Sequence, residues 1–485
     1  MTIEGRTRWL ALYVLCLGSL MIVLDATVVN VALPSIKSDL GFSETSLAWV
    51  VNAYLLTYGG FLLLGGRLGD LFGHRSLFLG GITLFTLASL VCGVSTTQGL
   101  LVGFRAVQGV GGAVASAVSL SLMMTLFTEH GERAKAMGIF GFVASGGGSI
   151  GVLLGGVLTD LLDWHWIFLV NVPIGIAVVV LSLRLLPASR GRTGTGRLDV
   201  AGALTVTGSL MLAVYAIVNG NQDGWTSART VGLLTAAAAL FAGFLALETR
   251  VRSPLVPLGL FRLRNLAVAN GVGMLWAGAL FAWFFLAALY LKLVLGYSPL
   301  QVGLSFLPAN VIMGAFSIGL SARLVMRFGI RKPLAAGLLF AAAGLALFVR
   351  APVHGSFLVD VLPSMILLGI GAGTAFNPVL LAAMSDVAPE ESGLASGLVN
   401  TSFMMGGALG LAVLASVAAS RTSGLTAAGE GQLAALTSGY HLAFLVGTAF
   451  ALAAVVLGAT LLRTRAPTGH PEAPPRGELA TAEAD

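Results

Sequence analysis

The chain has 485 residues, 56% of them hydrophobic and only 10% charged, with a mean hydropathy of +0.92. A water-soluble domain carries about 25% charged residues, so this composition excludes a soluble globule. The net charge of +6 does not mark a nucleic-acid partner, because the basic residues fall between apolar runs, where membrane orientation puts them.

Arg6 and Arg8 precede a first apolar run that is longer than a signal-peptide core and lacks a small-residue cleavage site, so it reads as an uncleaved first span. Within it lies Leu24-Asp25-Ala26-Thr27-Val28-Val29-Asn30-Val31-Ala32-Leu33-Pro34. A carboxylate at mid-bilayer costs about 2.5–3.5 kcal/mol on insertion scales, so an acid there marks a functional site by default. Asp25 lies about nine residues inside Pro34, or about 13 Å deep at the helical rise, which disfavours an acid merely reaching for a helix end.

At about 17–25 apolar residues per span, the sequence divides into fourteen, near 9–33, 46–66, 76–94, 98–127, 135–160, 165–186, 200–219, 229–249, 265–294, 299–322, 333–350, 357–384, 392–419 and 440–462. The seventh and eighth are separated only by the polar string Asn219-Gly220-Asn221-Gln222-Asp223-Gly224-Trp225. With both termini inside, 21 of the 27 Lys and Arg residues fall in cytoplasmic segments and five outside (Lys37, Arg229, Lys292, Arg350, Arg421). That split obeys the positive-inside rule and supports an even number of spans. Arg105 remains, about seven residues inside the outer end of span four and about 10 Å deep, close to the depth of Asp25.

The two ends of the chain resemble each other. The string from Gly66 to Arg75 aligns with that from Ala322 to Arg331 at an offset of 256, with Met326 standing where the first copy has Asp70. Gly138, Gly147, Gly148 and Gly151 align with Gly397, Gly406, Gly407 and Gly410 at an offset of 259. The expected architecture is therefore all-α, with six-helix halves at 1–187 and 265–465. A basic linker and two inserted helices occupy 188–264, and 466–485 form a disordered tail. Such duplication is a transporter signature, with a substrate site near the midplane between halves.

Five ordered strings carry a family resemblance: Leu24-Asp25 through Pro34, Trp49-Val50-Val51-Asn52-Ala53-Tyr54, Gly66 to Arg75, Arg105-Ala106-Val107-Gln108-Gly109, and Trp164-His165-Trp166-Ile167-Phe168-Leu169-Val170-Asn171-Val172-Pro173-Ile174-Gly175. The chain resembles the fourteen-span drug:proton antiporters of the major facilitator superfamily over nearly its whole length. One departure stands in span five, where Gly151 is followed by Val152 instead of the antiporter Pro. Gly147, Gly151 and Gly155 still recur every fourth residue, a stripe suited to close helix packing.

The resemblance implies a multi-pass protein of the cytoplasmic membrane, a monomer, that exports small amphipathic molecules against proton entry. Asp25 is expected to exchange the proton, with Arg105 tuning or competing for it; a static buried ion pair is the structural alternative. Gly66, Arg67, Asp70, Gly73 and Arg75 form a tight corner that the resemblance makes a cytoplasmic gate. Candidate cavity liners are Asn30, Asn52, Tyr54, Trp276, Trp283, Phe284, Asn310, Phe376, Asn377 and Met404, where aromatic and Met surfaces accept varied apolar ligands. No acid lies deep in a second-half span, which favours neutral or singly charged substrates. The six histidines fall mainly in loops and tail, so no metal is expected. No Gly-Lys-Ser or Gly-Lys-Thr string appears, so no ATP drive or other cofactor is expected either. Cys16 and Cys92 sit in apolar runs, not in a disulfide framework. No constellation for an integral-membrane enzyme is found; the nearer alternative is a carrier of another solute, such as a lipid, siderophore or small metabolite.

Overall fold

A computed structural model describes residues 5–127, 129–187, 199–251, 254–388 and 391–463. The basic linker and the tail expected from sequence lie outside these residues. The described chain is helical throughout: α1 (Gly5–Leu40), α2 (Glu44–Phe72), α3 (His74–Gly93), α4 (Gln98–Leu126), α5 (His130–Leu161), α6 (Trp166–Leu169), α7 (Asn171–Leu185), α8 (Val200–Asp223), α9 (Ala228–Glu248), α10 (Arg264–Leu289), α11 (Pro299–Ala315), α12 (Ser321–Phe328), α13 (Arg331–Phe348), α14 (Leu362–Met384), α15 (Ser392–Ala427) and α16 (Gln432–Leu461).

Helix starts follow from short polar side chains. Ser43 and Ser298 each cap a helix reciprocally with the residue three positions on, Ser46 and Gln301. Breaks follow from glycine: α2 ends at Gly73 with φ 91° and α12 at Gly329 with φ 74°, values few other residues adopt cheaply. These two glycines occupy equivalent positions in the 256-residue repeat. Two ends differ from expectation. Helix α1 continues through Pro34 to Leu40, although the proline gives up one backbone bond. The polar string after residue 219 is absorbed into the end of α8, which closes at Gly224 with φ 85°.

Among the described residues, twelve helices are long and apolar enough to cross a membrane, two fewer than the sequence suggested. The fifth and tenth expected spans correspond to the shorter apolar stretches Ile150–Leu161 and Pro299–Ala315. Helix α5 itself runs from His130 to Leu161 and contains the expected fifth span. After α11 the α-helical ladder gives way to a π-turn at Phe316–Leu320.

Helix neighbours repeat along the chain. The pairs α1 with α5, α2 with α4, and α3 with both α4 and α7 have counterparts in α10 with α15, α11 with α14, and α13 with both α14 and α16. The two sets meet reciprocally, α2 against α15 and α5 against α11. Small residues permit this. A Cβ at Gly151 or Gly155 would strike Thr27, Leu24 or Val28 of α1, and one at Gly406 or Gly410 would strike Met274 or Gly278 of α10. Gly156 of α5 and Gly303 of α11 lie backbone to backbone at the second seam. Val152, in the place of the antiporter proline, is buried in an unbroken α5, with its carbonyl against Gly303.

The hairpin of α8 and α9 lies along the other seam. Helix α8 packs on both α2 and α15. Asn221 Nδ2 donates to the Ser416 carbonyl at 2.7 Å, and the Ser416 hydroxyl donates to the Ile217 carbonyl at 3.1 Å.

Candidate functional site

Asp25 and Arg105 meet. The apolar faces of α1 and α4 are buried against their neighbours, which carries both charges out of reach of lipid, at 0% and 1% exposure. Arg105 Nη1 donates to Asp25 Oδ2 at 2.5 Å and to Gln108 Oε1 at 2.8 Å, while Nε donates to the Val50 carbonyl of α2 at 3.0 Å. Asp25 Oδ1 accepts from Gln108 Nε2 at 2.8 Å and from Asn171 Nδ2 at 3.0 Å. Both amides also donate to the Ser89 hydroxyl, at 3.1 and 3.0 Å, and Ser89 donates to the Phe168 carbonyl at 2.9 Å.

Three donors thus converge on the two oxygens of one carboxylate, the pattern that an ionised acid accepts. A buried pair is tolerable only when its remaining hydrogen-bonding capacity is also met, and here the network that meets it draws on α2, α3, α4, α6 and α7. The guanidinium further lies 4.4 Å from the Tyr54 ring centroid and 5.7 Å from that of Phe168. Sequence reasoning singled out the strings containing Gln108 and Asn171 but assigned neither a role, and it passed over Ser89 entirely. A polar residue in an apolar run was the available signal.

A cavity of about 880 Å³ opens between α1, α2, α4, α5 and α15. Ser19, Tyr58, Arg67, Ser116, Gly397 and Asn400 are among the residues on its wall. Tyr58 connects it to the buried pair, because its ring stacks on that of Tyr54 with centroids 5.7 Å apart.

The Gly66–Arg75 corner forms one end of this cavity. Gly66 faces open space, whereas a Cβ at Gly69 would meet Val118 at 2.6 Å. Arg67 Nη2 donates to the Pro254 carbonyl at 2.7 Å, and Arg75 Nη2 to the Leu183 carbonyl at 2.5 Å. The corner is therefore bound both to the stretch after the hairpin and to α7. The side chain of Asp70 lies outside the described residues. Its counterpart Met326 is 80% exposed.

None of the expected liners faces the 880 Å³ cavity. Asn30 and Asn310 donate to carbonyls of their own helices, Ala26 and Phe306, and Asn377 to Ser317. Trp276 is buried; Trp283 and Phe284 pack on Phe306, and Phe376 packs on Phe403 beside Met404. Asn52 is fully buried on α2, and neither polar atom of its amide has a partner. Among the described residues, no group of three or more His, Cys, Asp or Glu is placed to hold a metal, and both cysteines are free.

The family model described as Major Facilitator Superfamily matches residues 15–411, most of the chain. The chain belongs to the major facilitator superfamily. It is 41% identical to the puromycin resistance protein pur8 of Streptomyces alboniger, covering 94% of this chain and 90% of that one. It is 39% identical to the cephamycin export protein CmcT of Amycolatopsis lactamdurans, over 94% and 93%. The fold is also that of a bacterial homologue of the human lysosomal transporter Spinster, solved inward-facing and unoccupied. That likeness has a TM-score of 0.68 at 15% identity, over 94% of this chain and 97% of the other. The protein is thus a multi-span membrane transporter and not an enzyme.

Proposed function

We propose that this transporter exports amphipathic antibiotics or drugs across the cytoplasmic membrane, driven by inward proton flow. In this reading it has fourteen spans in two six-helix halves with the α8–α9 hairpin inserted between them, works as a monomer, and keeps both termini cytoplasmic. The likeness to a puromycin resistance protein and a cephamycin export protein supports the substrate class. The 21-to-five division of Lys and Arg supports the orientation.

The observation that carries the proton coupling is the Asp25 network. A proton arriving at Asp25 Oδ2 takes the place of the Arg105 Nη1 donor, and the carboxylate charge that held the guanidinium is gone. Arg105 keeps its bond to the Val50 carbonyl and its place over Tyr54, both on α2. Helix α2 packs on α15 of the other half, so the proton's arrival alters the force on the seam between halves. The Tyr54–Tyr58 pair joins this event to the cavity, where Asn400 and Ser116 offer polar contacts to a largely apolar ligand. Gly66, Arg67, Asp70, Gly73 and Arg75 act as the cytoplasmic gate.

The test is dye or antibiotic uptake into inverted vesicles. Uptake that follows interior acidification, collapses with an uncoupler and disappears in Asp25→Asn supports the reading. Uptake in Asp25→Asn that still depends on the proton gradient overturns it. A susceptibility panel including puromycin and a cephamycin, in an efflux-deficient host, identifies the substrate class.

A further inference from the structure

The inserted hairpin carries two acids that the Asp25 network does not use. Asp199 caps the start of α8, where Oδ1 accepts the Gly202 amide at 2.7 Å. Glu248 ends α9, where Oε2 accepts the Val256 amide at 3.1 Å. Each residue is only 4% exposed. Asp199 Oδ2 and Glu248 Oε1 are left without a donor. These two oxygens face the same spot, lying 2.5 and 2.9 Å from where a Cβ on Gly202 would stand, and the two carboxyl groups are within hydrogen-bonding reach of each other.

Two buried carboxylates that face each other cannot both stay ionised without strong repulsion, and neither oxygen would find a donor. One proton between them removes both penalties. The helix dipoles decide which residue keeps it. Asp199 sits at the N-terminal end of α8, which favours a negative charge, and Glu248 at the C-terminal end of α9, which opposes one. Among the described residues, the charged groups facing Glu248 are Asp199 and Arg67 of α2.

The same glutamate is tied to the gate. Residues 254–257 form a short strap, held at Val256 by Glu248 and at the Pro254 carbonyl by Arg67 at 2.7 Å. We propose that Asp199 and Glu248 share one proton, forming a second protonation site carried by the inserted helices, and that release of this proton to water loosens the strap that Arg67 holds. The step breaks one carboxyl O–H bond and passes its proton to water; the two carboxylates left facing each other repel, which displaces Glu248 and the strap bound to it at Val256. The site deepens the transport reading by placing a proton beside the gate.

Infrared spectra of the full-length protein in lipid nanodiscs test it. At neutral pH the wild type is expected to show the carbonyl band of a protonated carboxylic acid that is lost in E248Q and lost or displaced in D199N, but survives in Asp25→Asn. E248Q mimics the protonated form, so wild-type dye transport should fall as cytoplasmic-side pH is raised, and the fall should be at least threefold smaller in that variant. A band absent from the wild type, or unchanged in both E248Q and D199N, overturns the proposal. The two variants do not share one folding risk, and the infrared result holds whatever compound is carried. Loss of proton-driven transport with the band behaving as described would instead count against drug export.

Discussion

Arg105 is bound at once to Asp25 on α1, at 2.5 Å, and to the Val50 carbonyl on α2, at 3.0 Å. A single guanidinium therefore links the acid to the helix that packs on α15. Its planar fork serves the two acceptors in different directions, which a lysine ammonium on a flexible stem does not reproduce. Arg105→Lys is expected to insert and fold while proton-driven dye uptake falls at least tenfold, measured in inverted vesicles.

Asp25→Asn keeps the shape of the side chain and removes its charge and its proton. Gradient-driven uptake should be lost, while dye binding to the purified protein, measured by fluorescence, should stay within a few-fold of wild type. A large loss of binding in this variant would place Asp25 in substrate contact instead.

Asn171 and Gln108 each give a donor to the buried carboxylate and another bond to Ser89. Replacing Asn171 with Leu leaves these buried acceptors short, a cost of about 1–3 kcal/mol for one unsatisfied group. Thermal unfolding in detergent should show a lowered Tm for Asn171→Leu and Gln108→Leu. An unchanged Tm in both would mean that the network contributes little to folding.

Gly151 is pressed against Leu24 and Thr27, on the turn of α1 that carries Asp25. Gly151→Val should displace α1 and yield aggregated protein on size-exclusion chromatography. Gly66→Ala, at a position facing open space, should elute as wild type does.

Gly73 holds φ at 91° where α2 turns into α3. A side chain in left-handed backbone costs about 1–2 kcal/mol. Gly73→Ala is expected to lower the unfolding temperature and to weaken gating, read as faster leak of preloaded dye. Gly329→Ala, its repeat counterpart at φ 74°, should show the same loss of stability.

Much of the fold was legible because a bilayer imposes length and polarity on every helix. The offset of 256 residues brought Gly73 into register with Gly329, and both cap their helices in the left-handed region. The offset of 259 brought Gly151 and Gly410 into register, and they pack against α1 and α10 respectively. The fifth and tenth expected spans fall on α5 and on α11 with the π-turn that follows it.

The candidate site was legible only in its charges. Asp25 and Arg105 stood out because ionised groups are rare at depth, and their like distance from the outer end agreed with a contact. Ser89, Gln108 and Asn171 did not stand out, since single neutral polar residues are common in helices that line no site. Likewise, nothing in the spacing of Asp199 and Glu248 shows that their carboxyl groups meet.

The amino-acid sequence by itself determined that the chain spans a membrane repeatedly, which ends of its helices are basic, and where charge is buried, because those properties depend on composition along one dimension. Only the tertiary structure decided which groups satisfy that charge. Hydrogen bonds reach about 3 Å, and α1, α4 and α7 must pack at fixed rotations before donors far apart in the chain come within that distance of one carboxylate.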